Sequence, residues 1–304
     1  MALTGNEDAW QRKACISVEC DNEAAASYIK LQYEALSETI DIDTGERDLD
    51  VINLLNLGQI PKHGAIGICT ITFEGYPLEA GTGQTAGATR GTPEGGVAKG
   101  YFEAYAYIPT RTMQSGSDAD ETQPFETTMT NTATKFRVAV LWTNESDATG
   151  TASAASNAAA SITGTSVTTN DHAGKMLEIT SGTGIGGNYM IVSHTATVYT
   201  LTTGDTPETD LGSSTPNNTY TIHPTGSGAV ATTTTKGMRF VLADCFCTSC
   251  KTTMTDGIVK QTLVFKGAMF TKTGAALCKM ESTDATSAQL PALGDYAPGS
   301  TYWA

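Results

Sequence analysis

The chain has 304 residues, of which 39% are hydrophobic and 16% charged, and its formal net charge is −14. This length accommodates two domains with proper cores, and the composition excludes a disordered polyelectrolyte. An excess of 32 acidic over 18 basic side chains, with no basic cluster, excludes a protein that holds nucleic acid by neutralising phosphates. Frequent Thr and a count of 31 Gly favour strands and turns. No apolar run reaches the ~20 residues of a membrane-spanning helix. The opening MALTGNED has neither the basic nor the apolar region of a secretory signal, so folding in a cytoplasm without a membrane partner is expected.

Gln11 to Cys20 alternates around Ala14, Ile16 and Val18, which predicts a half-buried strand. Tyr28 to Tyr33 repeats the pattern, and Glu38 to Asp43 places Ile40 and Ile42 on one face. Asp41 to Asp50, DIDTGERDLD, then gathers five acidic residues around Arg47, ahead of the apolar run Val51 to Leu57. Two readings are open here. One is a projecting arm that needs a partner to cover it; the other is a short core helix from about Leu49 to Asn56. On the arm reading, the candidate inter-subunit contact is Asp41, Asp43, Glu46, Arg47, Asp48, Asp50, Leu54, Leu55 and Leu57.

Gly67 to Glu74 is the clearest strand, ending at Gly75-Tyr76-Pro77, and Gly81 to Gly96 is a Gly/Thr-rich loop. Lys99 to Ile108 predicts one α-helix, closed by Pro109, with Tyr101, Tyr105 and Ile108 on one face. A polar loop from Thr110 to Gln123 leads to a strand over Lys135 to Trp142. After a long Thr/Ser/Ala/Gly-rich stretch, a second strand starts at Met238 and continues to about Thr253. A turn at Thr255-Asp256-Gly257 joins it to Ile258–Phe265 as a hairpin. A last strand, Ala276 to Ser282, precedes an irregular tail. The expected fold is mainly β, a sandwich or barrel with one flanking helix.

The stretch between the two halves reads as an inserted module. The expected division is 1–145 and 236–304 for the main domain and 146–235 for the insert. The insert holds one basic residue, Lys175, against six acidic ones. Lys175–Thr180, Tyr189–Ser193, Val198–Thr202 and Asn218–His223 predict short strands of a small antiparallel barrel or sandwich. The Ala/Thr/Ser tracts at 148–161 and 225–235 read as flexible tethers.

Signs of catalysis are sparse. The chain has no GxSxG, HExxH or Walker motif. The four His residues, His63, His172, His194 and His223, have no regular ligand spacing. Ser181 to Gly187 is glycine-rich but opens no helix to hold an anion. The 41–50 loop lacks the Gly and Glu pattern of a calcium site. Cys245, Cys247 and Cys250 form the only cysteine cluster, without the fourth ligand zinc needs, so the seven Cys read as reduced packing residues. No enzyme, metal or cofactor is expected. A glycan-active enzyme would need a facing carboxylate pair, and nothing pairs Glu74 with Glu103.

Several stretches carry a resemblance. These are LSETIDIDTGERDLDVINLL (Leu36 to Leu55), GQIPKHG (Gly58 to Gly64), ITFEGYPLEAGT (Ile71 to Thr82), KFRVAVLWTNE (Lys135 to Glu145), RFVLAD (Arg239 to Asp244) and TDGIVKQTLVFKGAMFTKTG (Thr255 to Gly274). Together they resemble major tail tube proteins of long-tailed viruses of bacteria and archaea. Ala173 to Leu201 separately resembles a small β module of tailed-virus structural proteins. The resemblance implies hexameric rings whose inner strands close into a continuous barrel and stack into a tube for DNA ejection. It implies a virion location, with tape measure, terminator and baseplate proteins as neighbours and DNA passing without specific binding. An acidic surface suits that passage. The arm would reach a neighbouring subunit or ring, the helix would lie outside the barrel, and the insert would decorate the exterior. A capsid decoration or surface-adhesion β protein is the alternative class.

Overall fold

The computed structural model describes residues 13–21, 28–35, 39–45, 47–54, 58–75, 97–99, 111–113, 125–127, 135–156, 161–165, 171–182, 188–201, 218–230, 235–255, 258–283 and 289–294. The first ten strands are β1 (Lys13–Asp21), β2 (Tyr28–Ala35), β3 (Ile40–Asp43), β4 (Arg47–Leu54), β5 (Gly58–Ile66), β6 (Ile68–Gly75), β7 (Val97–Lys99), β8 (Arg111–Met113), β9 (Phe125–Thr127) and β10 (Phe136–Thr143). Seven short strands follow: β11 (Ala148–Thr151), β12 (Ala154–Ser156), β13 (Ser161–Thr163), β14 (Met176–Ile179), β15 (Asn188–His194), β16 (Val198–Leu201) and β17 (Thr219–His223). The last three are β18 (Gly237–Thr255), β19 (Ile258–Ala268) and β20 (Cys278–Ser282).

The main sheet runs β3-β6-β19-β18-β10-β1-β2-β7, with β20 alongside β18. Its pairings are antiparallel except β2 with β7. No α-helix occurs among the described residues. Lys99, expected to open the helix, instead ends β7, and 100–108 lie outside the described residues. The polar loop expected over Thr110 to Gln123 contains β8, which pairs with β9.

One strand lets this sheet fold onto itself. β18 is 19 residues long and carries an extra residue twice. Phe136 stands opposite Cys245 but Val138 opposite Leu242, so a bulge lies at Ala243-Asp244. Asp244 there has φ 50°, a left-handed conformation that Asp tolerates better than branched residues do. A second bulge, between Cys247 and Ser249, reverses the parity again. The halves before and after the bend then face each other. Ile16, Val18, Phe136, Val140, Phe240 and Leu242 pack against Ile71, Phe73, Leu263 and Phe265. Phe136 meets Phe265 edge-on at 5.6 Å between ring centroids. Truncating such a buried Phe costs about 3–5 kcal/mol.

The insert leaves and returns at adjacent points. Thr143 pairs with Gly237, and Asn144 Oδ1 accepts the Lys236 N–H at 2.8 Å. Between them β11-β17-β14-β15-β16-β13-β12 form a separate antiparallel sheet. Ala148 to Ser156 runs as one bent strand, pairing with β17 through β11 and with β13 through β12. It thereby joins the two edges and closes a small barrel. Leu177, Ile179, Tyr189, Ile191, Tyr199, Leu201, Tyr220 and Ile222 fill it. Tyr220 needs a slot without side chains: a Cβ at Gly150 or Gly164 would collide with its hydroxyl. Those two glycines are the reason a large ring fits against small-residue strands.

The tracts expected as tethers are packed where they are described. Residues 148–156 are the closing strand. Pro224 to Val230 is buried and lies as a strap on the face of β1, β10 and β18 turned away from the main core.

Candidate assembly surface

The acidic loop and the run after it belong to one long hairpin. Its inner half is β3 against β6, with Ile40 opposite Phe73 and Asp43 opposite Thr70. Ile40 and Ile42 pack on the core, while Asp41 and Asp43 are exposed on the outermost strand of the sheet. Charge on a strand edge opposes unspecific pairing with other chains. Asp43 Oδ1 accepts the Gly45 N–H at 2.8 Å, an Asx turn that redirects the chain. Gly45 has φ 73°, and a Cβ there would lie 2.9 Å from the Gly67 carbonyl carbon. Glycine is therefore required on both counts.

Beyond this joint the outer half continues as β4 against β5, from Arg47 opposite Ile66 to Leu54 opposite Gly58. Asp50 stands opposite Lys62, and Asp48 falls at a register shift between Arg47 and Leu49. β4 overturns the helix reading of Leu49 to Asn56 over residues 49–54. Backbone partners across the hairpin hold the run extended, against its ambiguous local pattern. The two strands form a sheet of their own, paired with no other strand among the described residues. Of the candidate contact residues, Asp41 and Asp43 sit on β3, and Arg47, Asp48, Asp50 and Leu54 on β4. Glu46, Leu55 and Leu57 lie outside the described residues.

A second constellation, absent from the sequence reading, joins the insert to the main sheet. Arg137 and Glu19 are side-chain neighbours on β10 and β1, both 1% exposed, with Arg137 Nε donating to Glu19 Oε2 at 2.7 Å. Arg137 Nη2 also donates to the Gly294 carbonyl. On β18, Arg239 is fully buried and donates through Nε and Nη2 to Glu281 Oε2 at 2.9 and 2.6 Å. Nη1 donates to the Gly228 carbonyl at 3.0 Å, and Nη2 also donates to the Pro291 carbonyl at 2.8 Å. Burial lowers the Arg239 pKa, opposed by Glu281. Burial raises the Glu281 pKa, but Lys279 and Arg239 outweigh it and leave the carboxyl below its ordinary value.

The strap follows from this chemistry. Irregular backbone laid on a sheet brings carbonyls that no ladder satisfies. Arg239 donates to the Gly228 carbonyl of the strap and to Pro291, Arg137 donates to Gly294, and the carboxylates of Glu281 and Glu19 neutralise the two cations. Ser17 Oγ accepts the Ser227 N–H at 2.9 Å, Thr225 Oγ1 donates to the Gly174 carbonyl, and Val230 and Leu290 exchange two backbone bonds. Gly226 lies flat on the sheet: a Cβ there would strike the Ala139 carbonyl and come within 2.6 Å of Ser17 N. Lys175 adds a third buried ion pair, from the insert to Glu145 just beyond β10. The available signal was a charged residue at an alternating position inside apolar runs, as in FRVAVLW and MRFVLA.

His172 lies beside that pair, 3.4 Å from Lys175 Nζ, with His194 next to it. His194 Nε2 accepts the His172 backbone N–H at 2.8 Å while Nδ1 faces the Thr195 carbonyl at 2.7 Å, a pattern met by the neutral Nδ1–H tautomer. Burial, then Lys175, then His194 push the His172 pKa down to about 3. His223 lies between Asp147, 3.1 Å away, and Glu178, 2.8 Å away. Among the described residues no group of three or more His, Cys, Asp or Glu is placed to hold a metal ion. No helix among them is long and apolar enough to cross a membrane. Comparison with protein-family models and with curated protein sequences returned no match.

Proposed function

We propose that the chain is a structural virion protein whose copies assemble into hexameric rings, stacked into the tail tube of a long-tailed virus of bacteria or archaea. The observation that carries this reading is the β4–β5 arm. It extends a core hairpin outward yet pairs only with itself among the described strands. A two-stranded ribbon is marginal alone, so an arm of this kind gains its stability from a neighbouring subunit. The edge strand β3, marked by Asp41 and Asp43, borders the base of the arm and belongs to the same contact surface. On this reading the protein has no catalytic role and needs no cofactor. Viral DNA passes through the tube unbound, and the tape measure, terminator and baseplate proteins meet its ends. The inserted barrel decorates the outside.

Electron microscopy of the purified chain across a concentration series tests the proposal. Hollow tubes or six-fold rings with a narrow bore are the expected result. Monomers or trimers at every concentration would favour a capsid decoration or surface-adhesion protein, for which the inserted barrel would be the working part.

A further inference from the structure

Lys175 is the one lysine among the described residues that is buried, and its amine touches a carboxylate and an imidazole together. Nζ contacts Glu145 Oε1 and lies 3.4 Å from His172 Nδ1. Each of the three groups is fixed from its backbone outward. The Lys175 N–H donates to the His172 carbonyl at 3.1 Å, in a turn that sets the imidazole beside the amine. The Lys175 carbonyl accepts the Ile191 N–H at 3.0 Å, and the Glu145 N–H donates to Thr143 Oγ1 at 3.1 Å where β10 ends. The strap covers the lysine stem: a Cβ on Gly228 would lie 2.9 Å from Lys175 Cγ, so only a glycine lets the backbone pass there. The other ion pairs differ in kind. Arg137 and Arg239 present guanidinium groups, which do not lose a proton to become nucleophiles. Lys135 and Lys279 meet Asp244 and Glu281, but they are 42% and 40% exposed, so water reaches them.

We infer that Lys175 and Glu145 condense into an intramolecular amide, a covalent bond between the inserted barrel and the end of β10, with His172 relaying the proton. Passing one proton along the existing contact, from Nζ to the Glu145 carboxylate, turns two buried charges into a neutral amine and a neutral acid. The Nζ lone pair then attacks Glu145 Cδ. The tetrahedral adduct carries a surplus proton on nitrogen and a negative charge on one oxygen. His172 Nδ1 takes that proton and delivers it to the hydroxyl, the C–O bond breaks, and one water leaves as the carbonyl re-forms. One C–N bond replaces one C–O bond, and no oxidant or other reactant is consumed. Burial, with Lys175 and His194 nearby, keeps His172 neutral near pH 7, so its Nε2–H tautomer accepts at Nδ1. Holding amine and acid at contact raises their effective concentration by orders of magnitude, and the covered site opposes the reverse hydrolysis.

The test incubates the folded full chain near neutral pH, denatures and reduces it, and records its intact mass and its peptide map over time. The expected product is lighter by one water and contains a branched peptide that joins Glu145 to Lys175 and survives denaturant and reductant. Lys175→Arg keeps the charge and should retain the full mass, with an unchanged circular dichroism spectrum. His172→Gln should form the bond roughly a hundredfold more slowly. The map separates this bond from a succinimide at Asp256-Gly257, which also loses one water but joins no second peptide. A wild-type chain that keeps its full mass, a water lost elsewhere in the chain, or a bond that forms as fast in His172→Gln would overturn the proposal.

Discussion

The arm and the inserted barrel leave the main sheet in the same way and end differently. Each emerges between two strands that are antiparallel neighbours, β3 and β6 for the arm, β10 and β18 for the barrel. The arm consists of two strands that pair only with each other among the described residues. The barrel closes on itself around three tyrosines, then returns along the sheet through Pro224 to Val230, fixed by buried charge. An excursion that brings a core and satisfies its own return path becomes part of the body. On the proposed reading, one that brings only a ribbon takes its stabilisation from a partner. The distinction lies in packing and backbone satisfaction, not in length alone.

Removing the anchor of the strap should break the comparison most severely. Arg239→Ala leaves two carbonyls without their donor and Glu281 with Lys279 as its ion-pair partner, and should cost about 3–5 kcal/mol in urea unfolding. If Arg239→Met together with Glu281→Leu recovers most of that loss, the pair serves neutrality more than attraction. Gly226→Val comes next. Backbone atoms on both sides block its side chain, and the expected loss is about 1–3 kcal/mol, with protease cleavage near the strap as a second readout. A wild-type value for this variant would mean that the strap lifts freely.

Acid should loosen the barrel end of the junction more gently. His172 has a folded pKa of about 3, below its unfolded value near 6.5. As pH falls between those values the unfolded chain binds a proton that the folded chain refuses. Stability present above pH 6.5 is therefore lost on acidification, at up to about 1.4 kcal/mol per pH unit. His172→Gln should flatten that slope in denaturation midpoints measured from pH 7 to 4. The smallest effect on folding belongs to the arm. Deleting Asn53 to Leu57 should change monomer stability by less than about 1 kcal/mol while abolishing tubes in the electron microscope. A large loss of stability would show that the arm packs on its own subunit.

The strands of the main sheet other than β7 were legible because they alternate. Ile16 and Val18, Ile40 and Ile42, Ile71 and Phe73 each mark one face, and Asp256-Gly257 marks the turn between β18 and β19. The insert's β14 to β17 were legible for the same reason. Its β11, β12 and β13 were not. They are built from Ala, Ser, Thr and Gly, whose small size is what admits the tyrosine rings, so a tract that reads as a tether is a barrel wall. The 225–230 segment misled similarly, because up to Gly228 its burial comes from hydrogen bonds and a bare glycine, and only Ala229 and Val230 add apolar side chains. An excision of 150–232 would remove this strap with the barrel and uncover Arg239. Arg137 and Arg239 were not singled out from their strands; only the pairing of β1, β10 and β18 reveals two cations on one covered face. For the candidate contact, the sequence located the acidic turn, but whether the next run was helix or ribbon depended on β5, too distant for local pattern to decide.

The position of the barrel also orders events during synthesis. β10 leaves the ribosome long before β18, its partner in the sheet, and every contact that closes the barrel is complete within the intervening stretch. At a translation rate of about 5–20 residues per second the barrel has several seconds to form while β10 still lacks a neighbour on one side. The Gly294 and Pro291 carbonyls that receive Arg137 and Arg239 are made after the last strand. The nascent chain therefore holds two charged side chains on a half-built sheet until its closing segment arrives, which delays commitment of the sheet to its final form until the barrel is already in place.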